Sequence, residues 1–358
     1  MNPPEVSVTM AVRNVDRFLA DSIESILDQT LSDFEFIIVD FGSTDNSKEI
    51  VHSYSARDKR IRHFEIPNLQ LVEARNAAFE RSTGRFIAVM DADDVCLPHR
   101  LQREVTFLEE HPKVGIVGAA TEWIDAAGAA LGIHKVPCED GEIRRAFVTH
   151  CPFWHPTVLA RREALEAVGG YRSAFVYAHD YDMELRVAEK FECANLEEVL
   201  VRYRVHPQQV TFRKQALQSI CKIAARRSAL ARRLSQPDPL QGVREITPSL
   251  LSALGISERE QRIAIVTDCL IWLRSMAKAG EHSAAIDAAS EMLKSSSREM
   301  LGWQRAALLL LLARVHWERR NFPASVRAFV SALVARPLIL GRPFKALLPR
   351  AKSREGNK

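Results

Sequence analysis

The sequence contains no apolar run long enough to cross a bilayer as a helix. Its longest strongly apolar stretch, 306–313, is far shorter than the roughly 20 residues that a membrane-spanning helix needs. The first residues, Met1 to Glu5, do not place a basic segment before an apolar one, so we expect no signal peptide. We therefore expect a cytoplasmic protein, which can still lie peripherally at the inner face of the membrane.

Cysteine and glycine patterns exclude further classes. The six cysteines form no Cys-x-x-Cys pair and no Cys/His spacing of a zinc site, so we expect the reduced thiols of a cytosolic protein. The segment Ala11 to Asn14 lacks the glycines of a phosphate-binding loop, which disfavours a nucleotidyltransferase. The net charge of +4 permits contact with anionic lipid or a phosphorylated substrate, and we expect no nucleic-acid partner.

Strand and helix patterns alternate through the first part of the chain. Its 358 residues, 47% apolar and 26% charged, fit a soluble globular protein of two or three domains. Strand patterns at 6–12, 34–39, 62–66 and 86–90 alternate with helical patterns. This alternation predicts a doubly wound α/β sheet, whose ligands bind at the carboxyl ends of the strands.

Carboxylates follow one of the buried strands directly. Asp91, Asp93 and Asp94 come after the apolar run 86–90, and a turn can aim Asp91 and Asp93 at one cation. Hard oxygen ligands with open positions suit Mg²⁺ or Mn²⁺ carrying a phosphate-rich substrate. The alternative is an acidic loop that caps the helix beginning at Pro98. Asp40 ends another strand and is expected to converge on the same crevice.

Two candidates lie farther along the chain. Asp180 stands at the start of a predicted helix, where its simplest interpretation is an N-cap residue. The acids that follow it, Asp182 and Glu184, are interpreted as solvated. His206 ends the strand pattern 199–206, and a surface histidine is the alternative for it.

Taken together, four separated motifs resemble the family 2 glycosyltransferases, inverting enzymes of the GT-A fold, from Val6 to about Phe212. The motifs stand in family order and are supported by Gly169-Gly-Tyr171. They are Val6-Ser-Val with Arg13-Asn14, Asp40-Phe-Gly-Ser-Thr-Asp45, Ala74-Arg-Asn76 followed by Asp91-Ala-Asp-Asp94, and His179-Asp180 followed by Tyr203-Arg-Val-His206.

The resemblance implies a role for each matching residue. Asp93 and His206 would bind the divalent ion, Mn²⁺ or Mg²⁺, and Asp180 would be the catalytic base. Asp91 would contact the ribose side of a nucleotide-sugar donor, and Arg75 its nucleotide or diphosphate. The donor-binding set implied by the motifs is Val12, Asn14, Asp40, Phe41, Arg75, Asp91 and Ala92.

This sequence departs from the family pattern at three places. Phe41 stands where the family commonly has the acid that reads the donor base, and a phenyl ring can only stack or pack there. His179 precedes the expected base where the family usually has Glu, and we interpret it as facing water rather than the acceptor. The loop 68–73 also lacks a glycine often found in the family.

The second half of the sequence is helical. We predict a catalytic domain over 1–212, a basic helix and linker over 213–240, a helical domain over 241–337 and a basic tail over 338–358. Similar segments about 40 residues apart, at 280–286 and 321–326, resemble tetratricopeptide-like hairpins. A generic helical bundle is the alternative. The tail mixes apolar and basic residues and can lie on an anionic membrane, although a loosely packed terminus is the simpler interpretation.

These features predict an inverting, metal-dependent glycosyltransferase. The donor would be a nucleotide-diphosphate sugar, and the acceptor a hydroxyl of a glycan or glycolipid in cell-surface polysaccharide or glycolipid synthesis, by analogy with the family. The alternative is a catalytically silent scaffold of the same fold that binds a protein partner through its helical repeats, which Phe41 would favour.

Overall fold

A computed structural model of the chain describes residues 3–206, 209, 214–295 and 300–336. The chain divides into two compact units, Met1–Ser257 and Glu258–Lys358. The first is an α/β domain and the second is helical, which confirms the predicted fold class. The predicted tail over 338–358 and the predicted domain boundary at 212 lie outside the described residues.

The first unit is built on one mixed sheet of nine strands. The strands pair in the order β3-β2-β1-β4-β8-β6-β9-β5, and β7 pairs with β6 outside this path. Their bounds are β1 Val6–Val12, β2 Phe34–Asp40, β3 Ile61–Glu65, β4 Phe86–Met90, β5 Val95–Cys96, β6 Val114–Ile124, β7 Ala130–His134, β8 Leu159–Arg161 and β9 Glu192–Arg204.

Helices connect these strands and continue beyond the sheet. In the first unit they are α1 Asp16–Leu27, α2 Ser47–Ser55, α3 Leu71–Arg81, α4 Arg100–Glu110, α5 Asp140–Ala146, α6 Arg162–Val168, α7 His179–Ala188, α8 Gln215–Arg233 and α9 Pro248–Ala253, with a short 3-10 helix at His155–Thr157. In the second unit they are α10 Glu258–Lys278, α11 His282–Ser295, α12 Gly302–Glu318 and α13 Phe322–Ala335.

The parallel strands explain the apolar runs of the sequence. Every residue of β2 is buried, because helices cover both faces of the sheet. Alternate residues of β2 enter two separate cores. Phe36 and Ile38 pack in the larger core with α1, α2 and α4. Ile37 and Val39 pack with α3 on the opposite face.

The strand order creates a crevice at one edge of the sheet. β1 lies between β2 and β4 and is parallel to both. The chain leaves β1 in one direction to form β2 and β3 and later returns to form β4 on the other side. The loops after β1, β2 and β4 therefore meet at a topological switch point, where open α/β sheets bind ligands.

A hairpin and a buried ion pair stabilise two of the connections between strands. A hairpin turns around Ala127 and Gly128, with β6 and β7 antiparallel on either side of it. A buried ion pair supports the helix after the acidic loop, since Arg100 lies 3.2 Å from Glu104 and both side chains are fully buried. Burial raises the pKa of Glu104 to about 7, although Arg100 opposes the shift. The Arg100 guanidinium also donates to the backbone oxygen of Val89 in β4.

The described residues of the second unit form two helical hairpins, α10–α11 and α12–α13. The amide of Gln304 in α12 joins the hairpins by donating to the Ile263 oxygen and to Thr267 in α10, each at 2.9 Å. The Ser325 hydroxyl joins α13 to α12 by donating to the oxygen of Ala313 at 2.6 Å. The helical character of this region was predicted, while the predicted domain bounds 241–337 stay a prediction. The tetratricopeptide-like repeat itself stays a prediction.

An apolar stripe runs along the outside of α13. Phe322, Val326, Val330 and Val334 follow one another at intervals of four residues, so they share one side of the helix. Their side chains are between 47% and 78% exposed. Trp317 extends the stripe, since its ring lies 5.0 Å from that of Phe322. In the part of the chain that the structure describes, no helix combines the length and apolar composition needed to cross a membrane.

Candidate active site

A pocket of about 370 Å³ opens at the switch point of the sheet. Its walls come from the loops after β1, β2 and β4, from α3, from the segment that leads into α7 and from the end of β9. The lining includes eight of the predicted site residues, namely Asn14, Phe41, Arg75, Asp91, Ala92, Asp93, Asp180 and His206. The other two, Val12 and Asp40, are buried and are not part of the lining.

The acidic loop after β4 is fixed by a residue of the last motif to which the sequence analysis gave no role. Arg204, at the end of β9, donates its backbone N–H to Asp94 Oδ1 at 2.7 Å and its Nε–H to the backbone oxygen of Asp93 at 2.8 Å. The Ser22 hydroxyl donates to the backbone oxygen of Asp94 at 2.6 Å. These bonds hold the loop in place and leave the Asp93 carboxylate directed into the pocket.

Asp93 and His206 form the pair best suited to a divalent ion. Asp93 Oδ2 lies 3.0 Å from His206 Nε2, although the two residues are far apart in the chain. Two ligands bound at right angles to one ion at about 2.1 Å lie roughly 3 Å apart, so the observed spacing fits a shared ion. Phe18 packs against the imidazole of His206 with ring centroids 4.8 Å apart. Carboxylate and imidazole ligands are both compatible with Mn²⁺.

Arg75 supplies the positive charge of the pocket. Its guanidinium is buried and lies 2.5 Å from Asp91 Oδ1. Burial alone would raise the pKa of Asp91, but the surrounding groups, with the charge of Arg75 first among them, together lower the pKa below the ordinary value. The pKa of Asp94, the next acid of the loop, is raised well above the ordinary value by burial and by the charges of Asp93 and Asp91. Asp91 is therefore kept ionised beside Arg75, while Asp94 serves as a structural acid.

The Gly169-Gly-Tyr171 element is attached to α3. The Asn76 amide donates to the Tyr171 oxygen at 2.8 Å, and Asn76 Oδ1 accepts from the Tyr171 N–H at 3.0 Å. Gly170 adopts a left-handed φ of +65°, and a Cβ there would meet Asn76 Oδ1 at 3.0 Å. A glycine is therefore needed where the two segments cross. The contact places Tyr171 behind the pocket, where its hydroxyl lies 3.4 Å from His155 Nε2.

Asp180 lies in the first turn of α7 and lines the same pocket as Asp91 and Asp93. The helix begins at His179 with Ala178 as its N-cap residue, so the interpretation of Asp180 as an N-cap is wrong. A carboxylate in the first turn of a helix is still favoured, because it lies near the positive end of the helix dipole. Asp180 thus stands in the pocket that contains the Asp93–His206 pair.

Buried polar groups lie behind Asp180. Glu184, one turn farther along α7, is fully buried and accepts from the Cys151 thiol at 2.8 Å. Its other oxygen lies 3.6 Å from His155 Nδ1. Burial, and then the charge of Asp180, raises the pKa of Glu184 well above its ordinary value. The protonated form of Glu184 is therefore favoured in this buried position behind Asp180.

Asp182 and Glu184 are therefore not solvated acids, contrary to the sequence-based interpretation. Asp182 is fully buried, and its carboxylate accepts from the guanidinium groups of both Arg172 and Arg186. Sequence spacing shows only the i, i+4 relation to Arg186, which exposed helices share. The second arginine comes from a different segment, and it accounts for the burial.

Two histidines form an uncharged wall of the pocket. His155 and His179 are buried, with ring centroids 5.7 Å apart. Burial, and then the charge of Arg75, lowers the pKa of each imidazole to about 3. Both rings are therefore neutral at pH 7. The interpretation of His179 as facing water is wrong, and His155 carried no sequence signal because it lies in an irregular segment.

The loops after β1 and β2 form the opposite end of the pocket. Asn14 has a left-handed φ of 53°, and its Oδ1 accepts from the Thr44 N–H at 2.8 Å, which ties the two loops together. Asp40 Oδ1 accepts from the N–H groups of Gly42 and Ser43, each at 2.9 Å. This carboxylate therefore organises the loop rather than facing the pocket. Phe41 faces the pocket instead, with the Arg13 guanidinium 5.6 Å from its ring centroid.

Comparison with known proteins identifies the family of the chain. Residues 7–169 match the family model described as "Glycosyl transferase family 2". The chain is 35% identical over 220 residues to "Putative glycosyltransferase EpsE" of Bacillus subtilis, covering 60% of this chain and 77% of that protein. It is 33% identical over 208 residues to "O-antigen biosynthesis glycosyltransferase WbnJ" of Escherichia coli, covering 56% of this chain and 80% of that protein.

A solved structure with the same fold comes from an archaeon. "Mannosyltransferase PcManGT from Pyrobaculum calidifontis in complex with GDP-Man and Mn2+" superposes with a TM-score of 0.52 and covers 89% of each chain. Its sequence is 18% identical to this one, so the likeness concerns the fold alone. The fold is thus shared with a protein whose structure was solved in complex with GDP-Man and Mn²⁺.

Proposed function

We propose that this chain, which belongs to glycosyl transferase family 2 and is therefore a glycosyltransferase, moves a sugar from a nucleotide-diphosphate donor to an acceptor hydroxyl with inversion at the anomeric carbon. The observation that carries the proposal is a single pocket lined by Asp91, Asp93, Asp180 and His206, which come from three separate parts of the sequence. The WbnJ and AmsE relatives, named for O-antigen and amylovoran biosynthesis, support a role in making surface polysaccharide.

The charges of the pocket favour metal dependence. Three carboxylates, of Asp91, Asp93 and Asp180, line it against two cations, Arg75 and Arg13. Arg75 is already paired with Asp91, so a diphosphate would meet Asp93 and Asp180 with little positive charge to offset them. A divalent ion, Mn²⁺ or Mg²⁺, held by Asp93 and His206 would supply that charge and stabilise the leaving diphosphate. The Mn²⁺ named with the archaeal mannosyltransferase supports the same choice.

Asp180 is the proposed catalytic base. The acceptor hydroxyl is a weak nucleophile until a carboxylate takes its proton during attack. As the bond from the acceptor oxygen to the anomeric carbon forms, the bond from that carbon to the diphosphate oxygen breaks, and the acceptor proton passes to Asp180. Attack from the face opposite the diphosphate inverts the carbon, so one base suffices and no covalent intermediate forms.

The donor base would lie at the end of the pocket formed by Phe41 and Arg13. The Phe41 ring offers no hydrogen-bond acceptor, but its face and the neighbouring guanidinium can stack on a base. Asp91, paired with Arg75, would then lie toward the ribose. We propose that backbone groups of the loops after β1 and β2 read the edge of the base.

A donor screen tests the proposed function. The purified full chain is incubated with UDP-, GDP- and dTDP-sugars in the presence of Mn²⁺, and release of the nucleoside diphosphate is measured. We expect hydrolysis or transfer with at least one donor, and its loss when EDTA is added. Turnover that EDTA leaves unchanged would contradict metal dependence.

The stripe on α13, with Trp317, is the surface that we propose for peripheral membrane contact. The sequence that follows the helix is strongly basic, with Glu355 as its one acid from 336 to 358. Its cations are Arg336, Arg342, Lys345, Arg350, Lys352, Arg354 and Lys358. Apolar side chains beside a basic segment fit the surface of an anionic bilayer, where a glycolipid acceptor would lie.

Vesicle sedimentation tests this surface. We expect the full chain to sediment with vesicles of phosphatidylglycerol and phosphatidylcholine, and much less with phosphatidylcholine alone. Val326→Asp with Val330→Asp should weaken the binding, because the charges oppose insertion of the stripe. Ile271→Asp, at an exposed position of α10, is the control. Equal binding by all variants, or a self-association that the double variant abolishes, would contradict the proposed membrane contact.

A further inference from the structure

A cluster of metal-ligand side chains lies away from the pocket, at the outer edge of the sheet. His63 and Glu65 occupy alternate positions of β3, so they point to the same face of the strand. His52 belongs to α2, whose Val51 packs in the same core as Ile61 of β3. β3 is the terminal strand of the sheet order, so the cluster joins an edge strand to the helix that covers it.

The ligand atoms of the cluster already lie close together. One ligand atom from each of His52, His63 and Glu65 lies within 4.8 Å of the others. His52 Nε2 is 2.8 Å from Glu65 Oε1, and the two imidazole rings meet edge to face with centroids 4.8 Å apart. Ligands about 2.1 Å from a tetrahedral ion lie roughly 3.4 Å apart, so side-chain rotation is enough to reach that geometry.

The polar groups of the cluster are incompletely paired. His63 Nε2 is buried and has no hydrogen-bond partner. A buried ring nitrogen without a partner loses the hydrogen bond that water would give it, and a bound cation would offset this loss. Lys48 lies 3.2 Å from Glu65 Oε2. The Lys48 ammonium can stay bonded to Oε2 while Oε1 binds the ion. Carboxylates that bind metals are commonly held in this way by a second hydrogen-bonding group.

We propose that His52, His63 and Glu65 bind one Zn²⁺ that fastens the edge strand β3 to α2. Two imidazole nitrogens and one carboxylate oxygen are a ligand set that zinc uses, with water in the fourth position. Mg²⁺ prefers oxygen ligands, so this site would differ in its metal preference from the Asp93–His206 pair. The proposal does not depend on the reaction at the pocket.

Zinc titration of the chelator-treated full chain tests the site. Binding is measured by competition with a chromophoric chelator, in the wild type and in Asp93→Ala, which removes the proposed ion of the pocket. We expect one Zn²⁺ in the Asp93→Ala protein as well as in the wild type. His52→Gln should weaken this binding by at least about 100-fold, more than the loss of an outer-shell group does. Co²⁺ in place of Zn²⁺ should give the visible spectrum of a tetrahedral site.

Controls separate loss of the site from loss of the fold. His52 is exposed, so His52→Gln should unfold at the wild-type temperature in the absence of metal and lose only the stabilisation by Zn²⁺. His99→Gln, at an exposed histidine outside the cluster, should bind Zn²⁺ like the wild type. Zinc binding that survives in Asp93→Ala combined with His52→Gln, or no binding in Asp93→Ala alone, would overturn the proposal.

Discussion

Replacing Asp180 with asparagine is expected to lower kcat by about 10²- to 10⁴-fold, the range that a positioned general base contributes. The amide keeps the shape of the side chain but cannot accept the acceptor proton. Asp180 lines the pocket in the first turn of α7. The buried Glu184 behind it has a raised pKa and accepts from the Cys151 thiol, so it is poorly placed to replace the lost carboxylate. The measurement is steady-state transfer at saturating donor.

Donor affinity separates a catalytic role of Asp180 from a structural one. Because Asp180 is assigned to the acceptor, Asp180→Asn should bind nucleoside diphosphate and Mn²⁺ within about twofold of the wild type. Asp28→Asn, an exposed acid at the end of α1, should retain wild-type kcat. Full activity in Asp180→Asn would exclude it as the base. A parallel loss of donor binding and thermal stability would instead indicate a role in folding.

The second large effect is expected for Asp93. Asp93→Ala should abolish metal-stimulated donor binding and lower kcat/KM by about 10³-fold or more, since charge stabilisation by a metal ion is worth several kcal/mol. Its carboxylate lies 3.0 Å from His206 Nε2, and alanine removes the charged partner of that pair. Calorimetry with Mn²⁺ and nucleoside diphosphate measures the binding, and transfer assays measure the rate.

The neighbouring acid provides a matched control. Asp94 is buried, accepts from the Arg204 N–H and is not part of the pocket lining. Asp94→Asn should therefore lower the melting temperature, while Mn²⁺ should still stimulate donor binding. If Asp94→Asn loses the Mn²⁺ response while Asp93→Ala keeps it, the assignment of the metal ligand to Asp93 is wrong.

Much of the fold could be predicted because its physical signals are local. Strands covered on both faces, such as β2 and β4, are largely apolar, and polar residues mark where each of them ends. The hairpin between β6 and β7 has a turn of small residues that the sequence shows directly. The order of strands in the sheet depends on pairing between distant segments, which no local pattern encodes.

The site was predicted less completely because part of it depends on burial. His179, Asp182 and Glu184 are polar residues in a short helix and were interpreted as solvated, yet all three are buried. Asp182 is compensated by Arg172, and Glu184 by Cys151, from segments outside the helix. Such partners become adjacent only when the chain folds, so a pattern along one helix cannot reveal them.

Asp40 shows the limit of reasoning from strand ends alone. Its position at the carboxyl end of β2 suggested a ligand-facing acid, but its oxygen accepts from the Gly42 and Ser43 N–H groups. The backbone N–H groups of the turning loop need hydrogen-bond acceptors, and the nearby Asp40 carboxylate accepts from two of them. Phe41 then takes the position that faces the pocket.

A crystal structure of the full chain with Mn²⁺ and a nucleoside diphosphate would test the assignment of the pocket most directly. The account predicts one ion bound by an Asp93 oxygen and His206 Nε2 at about 2.1–2.3 Å, with the diphosphate on its open side and Asp180 facing the vacant sugar position. An ion held by neither Asp93 nor His206, or a diphosphate bound outside the pocket that Asp180 lines, would contradict it.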